Sequence, residues 1–272
     1  MNIDTRKLDS LLNKQKETLS KTEKKIHEYV LSNYDQVIYD SLNSIATKLD
    51  VGEASLVRYF RKLGYSSFNH FKMEIYNAVD SLRIQSDSPY VESITQNMFD
   101  VIKNTKESLD LKAIDKATEI LLNSKHVFIA GMGISHTTAL DMFSKLLRVG
   151  IPASVISDSH FSYMYSSILD GNSCAILYSF SGETEEMKKI ASICKDKNIK
   201  VIVISNYNNS TLYQMADVFL KTSGFDNDIR GGFFASKISQ LYVSDILATN
   251  CALQNVDKTK KYSKLVSESV MK

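Results

Sequence analysis

The sequence predicts an α/β protein in which an all-α N-terminal domain precedes a doubly wound parallel sheet. Two observations lead to this fold class. Up to about residue 85, apolar residues recur at helical spacing and no good strand pattern occurs. After residue 122, short apolar runs typical of buried strands alternate with helical patterns as far as Thr249. Such alternation is typical of right-handed βαβ units arranged around a parallel sheet.

Composition limits both the compartment and the class of partner. The chain has 272 residues, enough for one large or two modest domains, and a formal net charge of +2. A nearly neutral chain has no bulk attraction to nucleic acid or membrane, so any such binding must come from local charge. The N-terminus is polar and no run approaches the ~20 apolar residues of a membrane span. We therefore expect a cytoplasmic protein that contacts no membrane.

The three cysteines are expected to be small core residues. Cys174 lies in a strand pattern, and Cys194 and Cys251 lie in helical patterns, without the spacing of metal ligands. Free cysteines fit a reducing cytoplasm, and no metal site is predicted.

The N-terminal domain contains a pair of helices joined by a tight turn. Ser20 and Glu23 have the spacing of a capping box, which starts an earlier helix. A short helix over 41–50, a turn at Gly52 and a second helix over 53–63 follow. This order of helix, glycine turn and helix predicts a helix-turn-helix.

The second of these helices has an apolar and a polar face. Leu56, Phe60 and Leu63 fall at i, i+4 and i+7 and form the inward stripe. Cations suit DNA phosphates, and serine, arginine or tyrosine can contact base edges in the major groove. The alternative is that the cations form an ordinary solvated helix face. The residues predicted to bind DNA are Ser55, Arg58, Tyr59, Arg61 and Lys62.

Polar and helical segments mark the remaining boundaries. A polar segment over 85–89 contains one of the two prolines and is predicted to be a linker, and helical patterns over 91–109 and 111–122 follow it. The tail carries Lys258, Lys260, Lys261 and Lys264 and is predicted to be a solvated end rather than a short amphipathic helix. The predicted segments are 1–84 for the helix-turn-helix domain, 85–105 for the linker and a connecting helix, 106–252 for the sheet domain, and 253–272 for the tail.

The most informative run is Ser179-Phe180-Ser181-Gly182-Glu183-Thr184, between a strand pattern over 174–178 and a helical pattern. Three hydroxyl groups are thereby brought to the C-terminal edge of a strand, beside the free N–H groups and positive dipole end of the next helix. Gly182 allows a sharp turn and a close approach to a ligand. This arrangement suits a phosphate monoester. The alternative is an ordinary strand-to-helix turn capped by one serine.

This run resembles the phosphate loop of sugar isomerase (SIS) domains, whose pattern is Ser-x-Ser-Gly-x-Thr. The similarity extends over about 106–250, because the run Gly131-Met132-Gly133-Ile134-Ser135 is similar to the family's Gly-x-Gly-x-Ser turn after the first strand. The resemblance implies that hydroxyls and backbone N–H groups of the loop hold the phosphate, and that Ser135 faces the sugar or the phosphate. The implied site consists of Ser135, Ser179, Ser181, Gly182, Glu183 and Thr184. His136 replaces the third glycine of a dinucleotide fingerprint, so no nicotinamide cofactor is predicted.

The N-terminal pattern resembles the DNA-binding domain of RpiR-type bacterial transcription regulators. The matching residues run from Ile45-Ala46 through Val51-Gly52 to Phe71-Lys72. Proteins of this family place a helix-turn-helix before a C-terminal SIS domain, the order predicted here. Two positions depart from the family pattern: Gly52, where serine commonly caps the second helix, and Lys237, where arginine is often found. Glycine is only slightly worse as an N-cap, whereas lysine would reduce a bidentate clamp to a point charge.

The two resemblances together imply a transcription regulator of carbohydrate metabolism that binds operator DNA, responds to a phosphorylated sugar, and forms a homodimer or tetramer. Two alternatives are a phosphosugar isomerase with N-terminal oligomerisation helices, and a DNA-binding protein whose SIS domain is only a dimerisation scaffold.

The isomerase alternative needs a base, for which Glu183 and His136 or His160, near Lys237, are the candidates. Acids are favoured at helix starts by the dipole alone, and a housekeeping isomerase has no use for a DNA-binding module. No catalytic residue, no enzymatic activity and no cofactor are therefore predicted.

Overall fold

The computed structural model describes residues 19–37, 40, 42–68, 70–72, 74–75, 89–224 and 235–270. The chain forms two compact units that divide between Phe99 and Asp100. Within the described ranges, no helix is both long and apolar enough to cross a bilayer. The same ranges contain no group of three His, Cys, Asp or Glu side chains placed to hold a metal ion. The boundaries predicted from the sequence stay predictions, and most of the predicted linker lies outside the described residues.

The first unit contains the predicted helix-turn-helix. Its described helices are α1 (Lys21–Ser32), α2 (Tyr34–Val37), α3 (Leu42–Leu49) and α4 (Glu53–Lys62). The capping box is confirmed, because Ser20 Oγ accepts from the Glu23 N–H and the Glu23 carboxylate accepts from the Ser20 N–H. Helix α4 ends before Gly64, whose φ of +94° lies in the left-handed region that favours glycine.

Phe60 lies in the middle of the core of this unit. Its ring centroid is 4.4 Å from that of Phe71 and 4.9 Å from that of Phe68. Helices α1 and α3 both pack against α4, and the small Ala46 is buried, as expected where two helices cross closely. Each fully buried large apolar side chain contributes about 1.5–3 kcal/mol of transfer free energy. The inward face of α4 is therefore fixed by helices on both sides.

The second unit is built on a five-stranded parallel sheet. Its strands are β1 (His126–Gly131), β2 (Ala153–Val155), β3 (Ser173–Tyr178), β4 (Lys200–Ser205) and β5 (Val218–Lys221). Their order in space is β2-β1-β3-β4-β5, so the chain reverses direction across the sheet between β1 and β3. Gly131 and Tyr178 are register partners, and the loops that follow these two strands leave the sheet side by side. Open α/β sheets bind ligands at such a switch point.

Helices cover both faces of this sheet, which confirms the doubly wound prediction. Further along the chain lie the helices α5 (Pro89–Ser108), α6 (Leu111–Asn123), α7 (Ile134–Val149), α8 (Ser159–Ile168), α9 (Glu185–Asp196), α10 (Thr211–Met215), α11 (Ala235–Gln254) and α12 (Val256–Val270). On one face, residues of α6, α7 and α11 share a core with the sheet, and on the other face residues of α9 and the turn of α10 do so.

The C-terminal tail is helical, so the predicted solvated end is wrong. Helix α12 packs against α7, and the ring of Tyr262 covers Gly150 at the end of α7. A Cβ atom on Gly150 would lie 2.3 Å from that ring. Lys260, Lys261 and Lys264 stay exposed. The lysines indicated a solvated segment, but the ring of Tyr262, which lies among them in the sequence, packs over Gly150.

The cysteines are buried and free, as expected of small core residues. Burial raises the pKa of Cys174 and Cys194 to about 12 and that of Cys251 to about 11. Because the thiolate is the reactive form, these residues contribute packing rather than chemistry.

Candidate functional site

Ser55, Arg58 and Arg61 lie on the outward face of α4. Both arginines are exposed, and Arg58 Nη2 donates to Ser55 Oγ at 3.3 Å. Leu56 and Phe60 are buried on the opposite face, as the sequence predicts. Guanidinium groups spaced by one helical turn can contact phosphates or the guanine edge in a major groove.

Tyr59 is buried, so its predicted place on the exposed face is wrong. Its side chain has no exposed surface, and its hydroxyl lies 2.9 Å from His27 Nδ1 on α1. Burial raises the pKa of the phenol well above its ordinary value. The physical reason is that Tyr59 stands three residues after Leu56, so it belongs to the same face. The inward stripe is wider than the spacing of i, i+4 and i+7 indicates.

Lys62 is held by an acid from another helix. Its Nζ lies 3.0 Å from Glu23 Oε2, and this carboxylate also accepts from the Ser20 N–H at 2.7 Å. The hydrogen bond from Ser20, followed by that from Lys62, holds the pKa of Glu23 below its ordinary value. Glu23 lies 39 residues before Lys62, and local charge patterning cannot indicate the pair. Glu23 therefore neutralises part of the charge of Lys62, whereas Arg58 is exposed and donates only to Ser55 among the contacts above.

The second candidate site is the loop between β3 and α9. Ser179 is buried, and its Oγ accepts from the Gly182 N–H at 3.0 Å and lies 2.8 Å from Thr184 Oγ1. Ser181 is exposed, and its Oγ accepts from the Glu183 N–H at 3.1 Å. The three predicted hydroxyls therefore bracket a turn whose backbone N–H groups point to the same side chains.

Gly182 is required by both its backbone angle and its surroundings. Its φ is +69°, and an added Cβ would lie 2.2 Å from Ser210 Oγ and 3.1 Å from Ser205 Oγ. Ser205, at the end of β4, donates to the Phe180 carbonyl at 3.2 Å. Ser205 and Ser210 therefore pack against the loop at Gly182. The sequence prediction did not include these two serines.

The N-terminal end of α9 faces this loop. Thr184 is the N-cap residue, and within the described part of the chain its side chain makes no capping hydrogen bond to the first turn. Its hydroxyl is turned to Ser179 instead. The first N–H groups of a helix carry partial positive charge and bind anions when no side chain caps them.

Glu183 caps another helix. Its two carboxylate oxygens accept from the Thr211 N–H at 2.6 Å and from Thr211 Oγ1 at 2.8 Å, at the start of α10. The backbone hydrogen bond from Thr211 is the main cause that lowers the pKa of Glu183, and Lys188 adds to it. The carboxylate is thus an ionised support for α10, although it was predicted among the phosphate-site residues.

Ser135 lies in the first turn of α7, beside this loop at the sheet edge. Gly131 comes so close that an added Cβ would lie 2.7 Å from the Ser135 carbonyl oxygen. Ser135 is only 5% exposed, and its Oγ accepts from Gln240 Nε2 at 3.2 Å. Gln240 belongs to α11, 105 residues later.

The candidate bases lie near the starts of different helices. His136 and Lys237 are half-buried in the first turns of α7 and α11, and His160 is exposed at the start of α8. In the described ranges, His136 Nδ1 has no hydrogen-bond partner, and no hydrogen bond joins either histidine to Glu183. The described residues therefore show no hydrogen-bonded pair of a histidine and Glu183.

Both parts of the chain match known sequence families. Residues 6–81 match the helix-turn-helix domain of the rpiR family, and residues 120–250 match the SIS domain. An uncharacterized HTH-type transcriptional regulator of Haemophilus influenzae is 31% identical over 244 residues, which cover 85% of each chain. The chain belongs to the rpiR family of HTH-type transcriptional regulators.

Two further proteins resemble this regulator over most of its length. An uncharacterized HTH-type transcriptional regulator of Clostridium perfringens is 29% identical over 241 residues, 85% of this chain and 86% of its own. The solved structure of Vibrio vulnificus NanR complexed with ManNAc-6P has a TM-score of 0.68 at 23% identity and covers 97% of this chain and 98% of its own. That structural likeness establishes the shared fold.

The structure of this rpiR-family regulator adds residues that sequence patterns miss. Ser205 ends a strand at the same sheet edge as Ser179, which is a signal that could have been used. Ser210 is recognisable only as the N-cap of a five-residue helix. Gln240 interrupts the apolar pattern of α11, but nothing local relates it to Ser135.

Proposed function

We propose that this regulator binds operator DNA through Ser55, Arg58 and Arg61, with Lys62 as a weaker contact, and that a phosphorylated sugar bound at the 179–184 loop controls it. The single observation that carries the effector assignment is the convergence of Ser179, Ser181 and Thr184 on one uncapped helix N-terminus. Ser135 faces the same sheet edge and completes the site.

A phosphate suits this loop because the loop offers hydrogen-bond donors without a fixed cation. The hydroxyl of Ser179 and that of Thr184 now satisfy each other. A phosphate would replace their mutual bond with charge-assisted bonds, each worth about 1.5–3 kcal/mol. A sugar phosphate fits better than inorganic phosphate because Ser135, on the neighbouring loop, can meet the sugar. The ManNAc-6P complex of the similarly folded NanR supports the same class of ligand.

The proposed protein is a sensor without catalytic activity. Glu183 is committed to capping α10, and its lowered pKa makes it a weak base. This commitment favours the regulator over the isomerase alternative. Incubation with candidate hexose 6-phosphates, followed by NMR of the sugar, should detect no aldose–ketose conversion.

Operator binding is proposed to require a homodimer or a dimer of dimers. A single recognition helix covers few base pairs, so helix-turn-helix modules usually act in pairs. Large apolar side chains such as Phe99 and Leu111 are 64% and 71% exposed, which supports burial in an assembly. Sedimentation should give a dimer or tetramer at micromolar concentration. Effector and operator should change each other's affinity by the same factor, typically about 5–150-fold.

The effector assignment is tested by calorimetry with N-acetylmannosamine 6-phosphate and a panel of other sugar phosphates. Ser181→Ala with Thr184→Ala should weaken binding at least about tenfold, given the strength of bonds to a charged group. Ser167→Ala, an exposed serine of α8, is the matched control and should bind as wild type does. Unchanged affinity in the double variant would remove the loop from the site.

A further inference from the structure

The first turn of α7 and the second turn of α11 are joined by a buried pair that holds Ser135 in one hydrogen-bonding role. Gln240 has no exposed surface, and its Nε2 donates to Ser135 Oγ at 3.2 Å. A carboxamide nitrogen only donates, so the serine oxygen must accept in this pair. The serine keeps its own proton, and among the described residues no acceptor for that proton is present.

Gln240 is itself fixed by a chain of hydrogen bonds to β3. Ser244 Oγ donates to the backbone carbonyl oxygen of Gln240 at 2.8 Å and lies 2.6 Å from the Tyr178 hydroxyl. Because Ser244 has a single proton and gives it to the carbonyl, the Tyr178 hydroxyl donates to Ser244. Tyr178 is the last residue of β3 and directly precedes Ser179. The backbone at Gln240 is thus tied to the strand that carries the phosphate loop.

The other end of the carboxamide has no partner within the described residues. Gln240 Oε1 is buried without a hydrogen bond, and Thr138 Oγ1, one turn after Ser135 on α7, is in the same condition. Buried polar atoms are normally paired, and leaving one unpaired costs about 1–3 kcal/mol. Leucine or methionine has a similar size and would fill the space between α7 and α11 without burying an unpaired polar atom. The buried carboxamide is therefore not explained by packing alone.

We propose that Gln240 is a positioning residue that makes Ser135 a hydrogen-bond donor to the effector. The proposal rests on the effector site proposed above, since Ser135 must face the ligand. A serine restricted to donating selects an acceptor on the ligand, such as a phosphate oxygen or an ether or carbonyl oxygen of the sugar. It discriminates against a ligand that presents only a donor at that point.

The test compares variants of Gln240 that keep its size but change its polarity, in the full-length protein with N-acetylmannosamine 6-phosphate and inorganic phosphate as probes. Gln240→Met removes the donor, and the affinity should fall about five- to tenfold as the Ser135 proton loses its direction. Gln240→Glu reverses the polarity, because the carboxylate accepts the Ser135 proton. Its affinity should fall as far as that of Ser135→Ala, about tenfold or more.

A double-mutant cycle separates positioning from packing. If Gln240 acts through Ser135, Gln240→Met should change affinity less than about twofold in the Ser135→Ala background. An equal loss in both backgrounds would show that Gln240 only supports the fold, and would overturn the proposal. Circular dichroism and thermal melting identify a variant that fails to fold, and Gln240→Glu then carries the test.

A pH series adds a readout that packing cannot change. A protonated glutamic acid can donate to Ser135 Oγ, so Gln240→Glu should regain affinity relative to wild type between pH 8 and pH 5. A ratio that stays constant with pH would contradict the proposal. Failure of the proposed function looks different: neither N-acetylmannosamine 6-phosphate nor any other sugar phosphate of the panel would bind wild type, or Ser181→Ala with Thr184→Ala would bind unchanged, and both proposals would then fall together.

Discussion

The helix α4, proposed to bind DNA, and the loop 179–184, proposed to bind the effector, are both short polar stretches, but they differ in what positions their polar side chains. In the loop, the hydroxyls, the glycine and the helix start are neighbours in sequence, and the bonds that join them span two to five residues. On α4, side chains from α1 decide which polar residues stay outside. The buried Tyr59 hydroxyl lies within hydrogen-bond distance of His27, and Lys62 forms an ion pair with Glu23. Local pattern therefore describes the loop more completely than the helix.

The largest effect is expected at Gly182, because the loop depends on a backbone angle that only glycine adopts readily. Gly182→Ala places a Cβ 2.2 Å from Ser210 Oγ at a φ of +69°. The strain and the overlap should cost about 3 kcal/mol of stability and abolish effector binding. Gly171→Ala is the matched control, since its Cβ would lie 3.7 Å from the nearest atom. Similar melting temperatures for the two variants would show that the loop tolerates a side chain.

The next effect distinguishes two cations on α4. Arg58→Ala should lower operator affinity by about 1–3 kcal/mol if it contacts a base, or reduce the salt slope by about one if it contacts a phosphate. Lys62→Ala should change binding less, because Glu23 already neutralises part of its charge. Fluorescence anisotropy against salt, with an operator selected from a random DNA library, measures both. If Lys62→Ala proves the more damaging variant, its pairing with Glu23 is broken on DNA.

Tyr59→Phe tests whether this residue belongs to the core or to the DNA surface. Loss of the hydrogen bond to His27 Nδ1 should destabilise α4 by about 1 kcal/mol. The intrinsic affinity for DNA should not change. Hydrogen exchange of the α4 amides measures the loss of stability, and an anisotropy titration of labelled operator measures the affinity for DNA. Altered preference at one operator position, with unchanged exchange, would return Tyr59 to the DNA surface.

The smallest effect concerns Glu183 and depends on pH. Its folded-state pKa is lowered, so its ionised form stabilises the protein above the unfolded pKa, and this contribution is lost as the pH falls through the folded value. Glu183→Gln should therefore be less stable than wild type at pH 7, and the difference should narrow as the pH falls through the folded pKa of Glu183. Urea unfolding over a series of pH values below 7 measures the difference, which is small because the side chain is half exposed. A difference that does not narrow with falling pH would assign the effect to shape rather than charge.

Sequence alone was sufficient where a property depends on neighbours along the chain. The order of domains, the parallel sheet, the capping box at Ser20 and Glu23, and the 179–184 loop follow from periodicity, turn chemistry and short-range hydrogen bonds. The three buried cysteines followed from the strand and helix patterns around them.

Tertiary structure decided what depends on residues far apart in the chain. Tyr59 is buried because α1 packs on α4, Glu183 caps a helix 28 residues later, and Tyr262 seats α12 on Gly150. The pair of Ser135 and Gln240 spans 105 residues. The pattern of apolar and polar residues along a helix shows which face of that helix a side chain occupies. The residue that the side chain then contacts depends on which other helices pack against that face, and this is decided by the tertiary fold.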